Sequence, residues 1–330
     1  MTAIEVKNLT KNFDGFTAVD NITFKIKKGE LFGLLGPNGA GKTTTINMLS
    51  TLLTPSSGHA KIACYDIIKE RDDVRRNIGI VFQEPALDNK LTGKENLEFH
   101  AMMYGMNKKE REKRIAEILE LVELSDKANI LVENYSGGMK RRLEIARGLV
   151  HKPKILFLDE PTLGLDAQTR RHIWNYIKKL NREGGITIIL TTHYMEEADY
   201  LCDRIAIIDH GKIIAIDSPN KLKDSLGGDI ITFEIEGDDE EFVKSINKLR
   251  FVKSVKKHDS KLTVAVKQGE RRIPELINIA QKKRVDIKSV SLHKPSLEDV
   301  FLHFTGNTIR EKEISQRGRN MEFARRRFGR

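Results

Sequence analysis

The chain has 330 residues, of which 39% are hydrophobic and 32% are charged, a composition typical of a globular protein with about two domains. Its formal net charge of +10 is compatible with an acidic partner, nucleic acid or anionic lipid. The N-terminus lacks the apolar core of a signal peptide, and the longest apolar runs have the length of strands, so we expect no membrane span.

Alternating hydrophobic residues over 4–9 and 22–26 predict antiparallel strands with one buried face. The run Leu31–Leu35 is apolar throughout, as expected of a central strand. A glycine loop follows, and then a stretch with helical spacing, T-T-T-I-N-M-L-S-T-L-L. Residues 94–150 are rich in helical patterns, and three more apolar strands come after them: K-I-L-F-L-D, G-I-T-I-I-L-T-T and R-I-A-I-I-D. We therefore expect an α/β fold with mainly parallel core strands.

The composition changes near residues 218–219. Residues 230–304 then read as strand, helix, strand, strand, helix, strand and a closing helix. The order βαββαβ is that of a small ferredoxin-like α+β unit. The predicted organisation is an ATPase domain at 1–220 with a helical subdomain at about 84–150, an accessory domain at 221–306, and a basic tail at 307–330.

The glycine loop has the sequence G-P-N-G-A-G-K-T, which matches G-x-x-x-x-G-K-[ST] and lies between an apolar strand and a helix. Glycines let the main chain approach phosphate oxygens without interference from a Cβ atom. A chance glycine turn is disfavoured by the flanking strand and helix. The pattern predicts that Lys42 neutralises the β- and γ-phosphates and that Thr43 ligates Mg²⁺. The predicted ATP-binding residues of this loop are Asn38, Gly39, Ala40, Gly41, Lys42, Thr43 and Thr44.

An acid pair, Asp159 and Glu160, ends the apolar strand I-L-F-L. Asp159 is predicted to hold Mg²⁺ through water, because this ion keeps much of its hydration shell. Glu160 is predicted to orient and deprotonate the attacking water. Such a pair alone is equally compatible with a solvated strand end, and the phosphate loop upstream favours the catalytic interpretation.

Three further side chains are candidates for the same site. His193 follows the strand I-T-I-I-L-T-T, at the edge where parallel sheets bind ligands, and could donate to a γ-phosphate oxygen; a structural histidine is the alternative. Gln83 ends the strand-like I-G-I-V-F-Q and could contact metal or water. Phe13 precedes a turn and could stack on a base, although the pattern fits a core aromatic equally well.

A second anion site is predicted at Ser136, Gly137 and Gly138, which precede the helical stretch L-E-I-A-R-G-L-V. Backbone N–H groups at the start of a helix face an anionic ligand, and the helix dipole favours negative charge. The residues alone do not indicate which anion this second site binds.

The ordered motifs of residues 1–220 resemble the ATP-binding cassette (ABC) family, and in particular the ATPase subunits of daunorubicin-type drug exporters. The resemblance rests on GPNGAGKTT, the glutamine-loop residue Gln83, the signature YSGGMKRR, ILFLDEP, the D-loop LGLD ending at Asp166, and the H-loop His193. Met139 replaces the commonest glutamine of the signature, and Phe13 replaces the usual tyrosine, which preserves stacking.

The resemblance implies a head-to-tail homodimer in which Ser136, Gly137, Gly138 and Asp166 contact the ATP bound to the other copy. It also implies Glu160, His193 and Gln83 as catalytic residues, Thr43, Gln83 and Asp159 as Mg²⁺ ligands, and a separate membrane permease as partner. The permease would contact Gln83–Thr92 and the helices to about Tyr104, where Leu87, Leu91 and Met103 are candidates; internal packing is the alternative for each.

We therefore expect a cytoplasmic protein on the inner face of the cell membrane. Two distant cysteines without a C-x-x-C motif agree with a reducing compartment. The tail contains eight Arg and Lys and three Glu, so it is either a disordered charged segment or a basic helix on anionic lipid or the permease. The rival function is a non-transport cassette ATPase that acts on nucleic acid through this tail; one cassette and no long coiled coil make nucleic acid the less favoured partner.

Overall fold

A computed structural model describes residues 1–236, 240–258, 261–283 and 285–305. The chain divides into two compact units, the first covering Met1–Ile214 and the second beginning at Ala215. Within the described ranges, every helix is too short or too polar to cross a membrane. The basic tail predicted at 307–330 lies outside the described residues.

The first unit, with the strand that leads out of it, is built from two sheets, seven α-helices and two short 3-10 helices at Ser125–Lys127 and Val132–Asn134. Its strands are β1 Thr2–Phe13, β2 Phe16–Lys27, β3 Leu31–Leu35, β4 Ser57–Ile62, β5 Tyr65–Asp66, β6 Ile78–Val81, β7 Ile155–Asp159, β8 Thr187–Thr192, β9 Arg204–Asp209 and β10 Lys212–Asp217. Its helices are α1 Lys42–Leu49, α2 Arg71–Asn77, α3 Gly93–Met103, α4 Lys108–Leu121, α5 Gly137–Leu149, α6 Ala167–Gly184 and α7 Met195–Leu201.

The central sheet has six strands in the order β10-β9-β3-β8-β7-β6. Strands β9, β3, β8, β7 and β6 are parallel, and β3, β7 and β8 are buried at every position. The smaller sheet, in the order β2-β1-β4-β5, is antiparallel. Both predictions of strand direction are confirmed. Because β3, β6, β7 and β8 run in the same direction, the loops that follow them emerge at one edge of the sheet.

Two elements close to the glycine loop and Gln83 end earlier than their sequence-based bounds. The helix after the glycine loop was predicted to reach Leu53, but α1 ends at Leu49, and Thr51 adopts the left-handed conformation with φ of 66°. A non-glycine residue in this region ends a right-handed helix. The strand predicted to end on Gln83 stops at Val81, so Gln83 lies in the following loop.

The second unit contains α8 Pro219–Asp224, β11 Asp229–Glu236, α9 Glu240–Ile246, β12 Val252–His258, β13 Lys261–Val266, α10 Gly269–Lys282, β14 Asp286–His293 and α11 Leu297–Thr305. Its antiparallel sheet has the order β12-β13-β11-β14. This order confirms the predicted ferredoxin-like α+β unit. Its core includes Phe233 and Phe242, which are fully buried and meet edge to face at 6.0 Å between ring centroids.

Candidate ATP-hydrolysis site

The glycine loop connects β3 to α1 and passes close to neighbouring backbone. A Cβ atom on Gly36 would lie 2.2 Å from the carbonyl oxygen of Ile208. Gly41 has φ of 103°, and a Cβ atom there would lie 2.5 Å from the carbonyl oxygen of Ala18. Both positions therefore require glycine, because real Cβ contacts do not become this short. The loop predicted from the sequence is thus a tight backbone cradle at the start of a helix.

Lys42, the first residue of α1, is only 5% exposed. Its ammonium donates to the carbonyl oxygens of Gly36 and Pro37 at 2.8 and 3.1 Å. The same ammonium lies 3.2 Å from Oε1 of Glu160. The lysine is therefore held within the loop, with its charge balanced by the carboxylate at the end of β7.

Two of the three predicted metal ligands, Thr43 and Asp159, lie side by side. The Thr43 hydroxyl donates to Oδ1 of Asp159 at 3.3 Å, and the Thr191 hydroxyl on β8 also donates to this oxygen. Asp159 is 3% exposed, whereas Thr43 is exposed at the start of α1. The adjacent parallel strands β7 and β8 bring Asp159 and Thr191 together at their carboxyl ends. Strand β3, which pairs with β8, leads through the glycine loop to Thr43.

Glu160 follows β7 and is 6% exposed. Its Oε2 lies 2.9 Å from Nδ1 of His193, and its Oε1 faces Lys42. Burial raises the pKa of the Glu160 carboxyl, but the hydrogen bond from His193 and the charge of Lys42 outweigh it, so the pKa lies below its usual value. The carboxylate is ionised at neutral pH, which is the state required of a general base.

Two other predicted residues stand apart from this cluster. Gln83 is exposed two residues beyond β6, and its side chain makes no hydrogen bond within the part of the chain that the structure describes. Phe13 is 46% exposed at the turn between β1 and β2, with Lys11 Nζ 5.2 Å from its ring centroid. An aromatic side chain this exposed is not a core residue, and stacking on a base stays a prediction for Phe13.

The signature residues form the start of α5. The Ser136 hydroxyl caps the helix by accepting from the Met139 N–H at 3.2 Å. A Cβ atom on Gly138 would lie 2.7 Å from Cγ2 of Thr169. Thr169 in turn donates to Asp166, the cap of α6, through its N–H at 2.9 Å and its hydroxyl at 2.6 Å. The signature and D-loop residues are thus neighbours, and Ser136, Gly137 and Asp166 are exposed.

Two residues at the site were not predicted from the sequence. Thr191 donates to Asp159 and accepts from the Glu160 N–H at 3.0 Å. Arg141, in the second turn of α5, is 8% exposed and donates to the carbonyl oxygens of Asp159 and Glu160 at 3.0 and 3.1 Å. The spacing of Arg141 and Glu144 on one face of α5 is a sequence signal for an ion pair, but not for its burial.

The glycine cradle, the buried lysine and the carboxylates beside it define a P-loop ATPase. The family model described as ABC transporter matches residues 19–163. The model described as ATP-binding protein DrrA1-3-like, C-terminal domain, matches residues 218–305.

The linearmycin resistance ATP-binding protein LnrL of Bacillus subtilis (strain 168) is 44% identical over 93% of this chain and 100% of its own length. The daunorubicin/doxorubicin resistance ATP-binding protein DrrA of Streptomyces peucetius is 38% identical over 95% and 96% of the two chains. A dimeric post-hydrolysis structure of the cassette MJ0796, bound to ADP and Pi, is 33% identical over 65% of this chain and 98% of that one, with a TM-score of 0.59. The chain belongs to the ABC transporter ATP-binding family, and it is an ATPase that binds ATP.

Proposed function

We propose that this ATPase works as a head-to-tail homodimer in which each ATP lies between the glycine loop of one copy and the signature residues of the other. The observation that carries the proposal is the exposed, capped start of α5 at Ser136 and Gly137, next to Asp166. Backbone N–H groups at the start of a helix suit an anion. The Ser136 hydroxyl already accepts from one of them, that of Met139, and so fixes the start of α5. The cassette bound to ADP and Pi, with which this chain aligns, is dimeric, and this supports a dimer here.

In the proposed reaction, Lys42 leaves Glu160 to neutralise the β- and γ-phosphates. The freed Glu160 carboxylate accepts a proton from the attacking water, and His193 holds that carboxylate through Nδ1 while its other ring nitrogen faces the γ-phosphate. The signature residues of the second copy neutralise the side of the γ-phosphate that the glycine loop leaves open. Once the phosphate is split, this shared contact is lost and the two copies separate.

The donor set fits Mg²⁺. The Thr43 hydroxyl and the Asp159 carboxylate are hard oxygen ligands 3.3 Å apart, which is the type of ligand that this ion prefers. Thr43 and Asp159, with Gln83 from the loop after β6, would hold the ion. When bound, it would neutralise charge on the phosphate oxygens.

The dimer is tested with Glu160→Gln, which removes the base and keeps the side-chain shape. We expect MgATP to convert this variant from monomer to dimer in size-exclusion chromatography with light scattering. Adding Ser136→Asp should abolish the dimer, because aspartate still caps α5 but repels phosphate. If the Glu160→Gln variant stays monomeric at high protein and ATP concentrations, the shared site is refuted.

We further infer that the ATPase drives a separate membrane permease of a drug exporter, and so works on the inner face of the cell membrane. The linearmycin and daunorubicin/doxorubicin resistance relatives support this function over one on nucleic acid. An exposed apolar patch on α3, formed by Phe99, Met102 and Met103 at 63%, 56% and 71% exposure, is the proposed contact. Leu87 and Leu91 are partly buried. Of the three residues that the sequence suggested for the permease contact, Met103 is therefore the best supported.

The permease contact is tested by co-expression with the membrane protein encoded beside the gene. Phe99→Glu with Met103→Glu should prevent co-purification and leave the ATPase rate of the isolated subunit unchanged. Lys94→Glu, at the exposed start of the same helix, is a control for added charge. Full co-purification of the Phe99→Glu, Met103→Glu variant would refute this surface, and co-purification with nucleic acid that survives high salt would favour the rival function.

A further inference from the structure

A buried ion pair on α5 lies between the signature residues and the catalytic carboxylate. Arg141 and Glu144 are joined at 2.8 Å, with side-chain exposures of 9% and 2%. They are three residues apart and therefore on the same face of the helix. Among the residues that the structure describes, most ion pairs lie at the surface, where they add to solubility. A buried pair such as this one therefore needs another explanation.

The Arg141 guanidinium uses all five of its N–H groups. One is donated to Glu144, one to the carbonyl oxygen of Phe82 at 2.7 Å, and one to that of Pro161 at 2.6 Å. The remaining two go to the carbonyl oxygens of Asp159 and Glu160. One side chain thus holds three consecutive peptides at the end of β7 and the peptide just before Gln83.

The segment held in this way is strained. Glu160 has φ of 47°, in the left-handed region that non-glycine residues seldom adopt and that persists only when the surroundings impose it. On its amino side, the Glu160 N–H donates to the carbonyl oxygen and hydroxyl of Thr191. On its carboxyl side, Arg141 holds the carbonyl. The direction of the Glu160 side chain therefore depends on both anchors.

The same helix also holds the loop that contains Gln83. Oε1 of Glu144 accepts from the Ala86 N–H at 2.8 Å, and Arg147 donates to the Ala86 carbonyl oxygen at 2.5 Å. Ala86 is thus held at both its N–H and its C=O from successive turns of α5. A movement of α5 would act on this loop and on the end of β7 together.

We propose that Arg141 and Glu144 form a positioning pair that sets the Glu160 carboxylate according to the position of α5. The proposal rests on the function proposed above, because it needs Glu160 to be the base and Ser136 to bind the partner's ATP. Ser136 and Arg141 are five residues apart, or about 8 Å along the helix. Engagement of phosphate at the start of α5 is thereby transmitted to the reacting end of β7 within one rigid element.

The test replaces both partners, with Arg141→Met and Glu144→Leu, because removing one would leave a buried charge unpaired. We expect kcat for ATP to fall at least tenfold while KM stays within twofold. In a Glu160→Gln background, the double variant should still form the ATP-dependent dimer. The matched control is Arg272→Met with Glu275→Leu, a pair of the same residues at the same spacing on α10, which should leave both constants unchanged.

A conservative variant keeps the test decisive if the double variant does not fold. Arg141→Lys retains a charge opposite Glu144 but has only three N–H donors on one atom, so kcat should fall with KM unchanged. Wild-type kcat in Arg141→Lys, or a change confined to KM, would overturn the proposal. If Glu160→Gln itself retains wild-type ATPase activity, the proposed role of Glu160 as the base is refuted. If that variant is inactive and the Arg141 variants are fully active, only the positioning pair is refuted.

Discussion

Replacing Glu160 by glutamine exchanges one carboxylate oxygen for an amide NH2 group and keeps the shape of the side chain. In the folded protein, Glu160 lies between Lys42 at 3.2 Å and His193 at 2.9 Å. A glutamine amide can still accept from Lys42 and donate to His193 when the imidazole nitrogen is unprotonated. It can neither accept a proton from water nor balance the charge of Lys42.

The substitution should lower both kcat and the free energy of unfolding. Loss of a general base lowers kcat by about 10²–10⁴-fold, or about 3–5 kcal/mol of barrier. Breaking a buried ion pair from one side costs about 3 kcal/mol of unfolding free energy, and here Lys42 is only 4% exposed as a side chain. MgATP should restore this stability, because the triphosphate supplies the negative charge that the variant lacks.

The assay combines phosphate release with thermal unfolding, each measured with and without MgATP. Glu196→Gln is the matched control, because Glu196 is exposed in the first turn of α7, three residues from His193; it should leave the rate and the melting temperature unchanged. A Glu160→Gln variant that hydrolyses ATP within threefold of the wild-type rate would refute the assignment of the base. A variant equally stable without nucleotide would refute the charge balance with Lys42.

Three other predictions concern the loop, pH and the second unit. Gly36→Ala should lower ATP affinity at least tenfold in equilibrium binding, because its Cβ atom would lie 2.2 Å from the backbone of Ile208. Gly184→Ala is the control, because the space around Gly184 is open. Unchanged binding in Gly36→Ala would contradict the role of this loop as a phosphate cradle. Burial, with the charges of Arg147 and His151, lowers the pKa of His100 to about 4. The unfolded chain therefore binds the proton first, and the free energy of unfolding decreases as the pH is lowered from about 6.5 to 4. In thermal melts across this range, His100→Gln should reduce the dependence of the melting temperature on pH. The same dependence in wild type and variant would contradict this prediction. Phe233→Ala should cost about 3–5 kcal/mol in urea unfolding of the second unit, and a loss under about 1 kcal/mol would contradict the core.

The sequence predicted those parts of the site that are set by local pattern. The glycine loop was recognisable because its glycines, lysine and threonine lie at fixed spacings between an apolar strand and a helix. Asp159 and Glu160 were recognisable because they end an apolar strand. The ferredoxin-like order was recognisable because each of its elements has a clear period of hydrophobic residues.

The remaining features depend on contacts between distant segments. Arg141 belongs to a basic run that reads as a solvated surface, and only the packing of α5 against β7 and the loop after β6 buries it. The left-handed conformation of Glu160 has no sequence signal, because it is imposed by Thr191 and Arg141. The early end of α1 has no clear sequence signal either, since Ser and Thr are only slightly poorer helix formers than the residues before them.

The central claim is that two copies of the chain share the terminal phosphate of each ATP. The most direct test is the structure of the Glu160→Gln variant with MgATP. The account predicts a γ-phosphate within about 3 Å of Lys42 Nζ from one copy and of the partner's Ser136 hydroxyl or signature N–H groups. A triphosphate enclosed by a single copy, with Ser136 of every copy facing solvent, would contradict it.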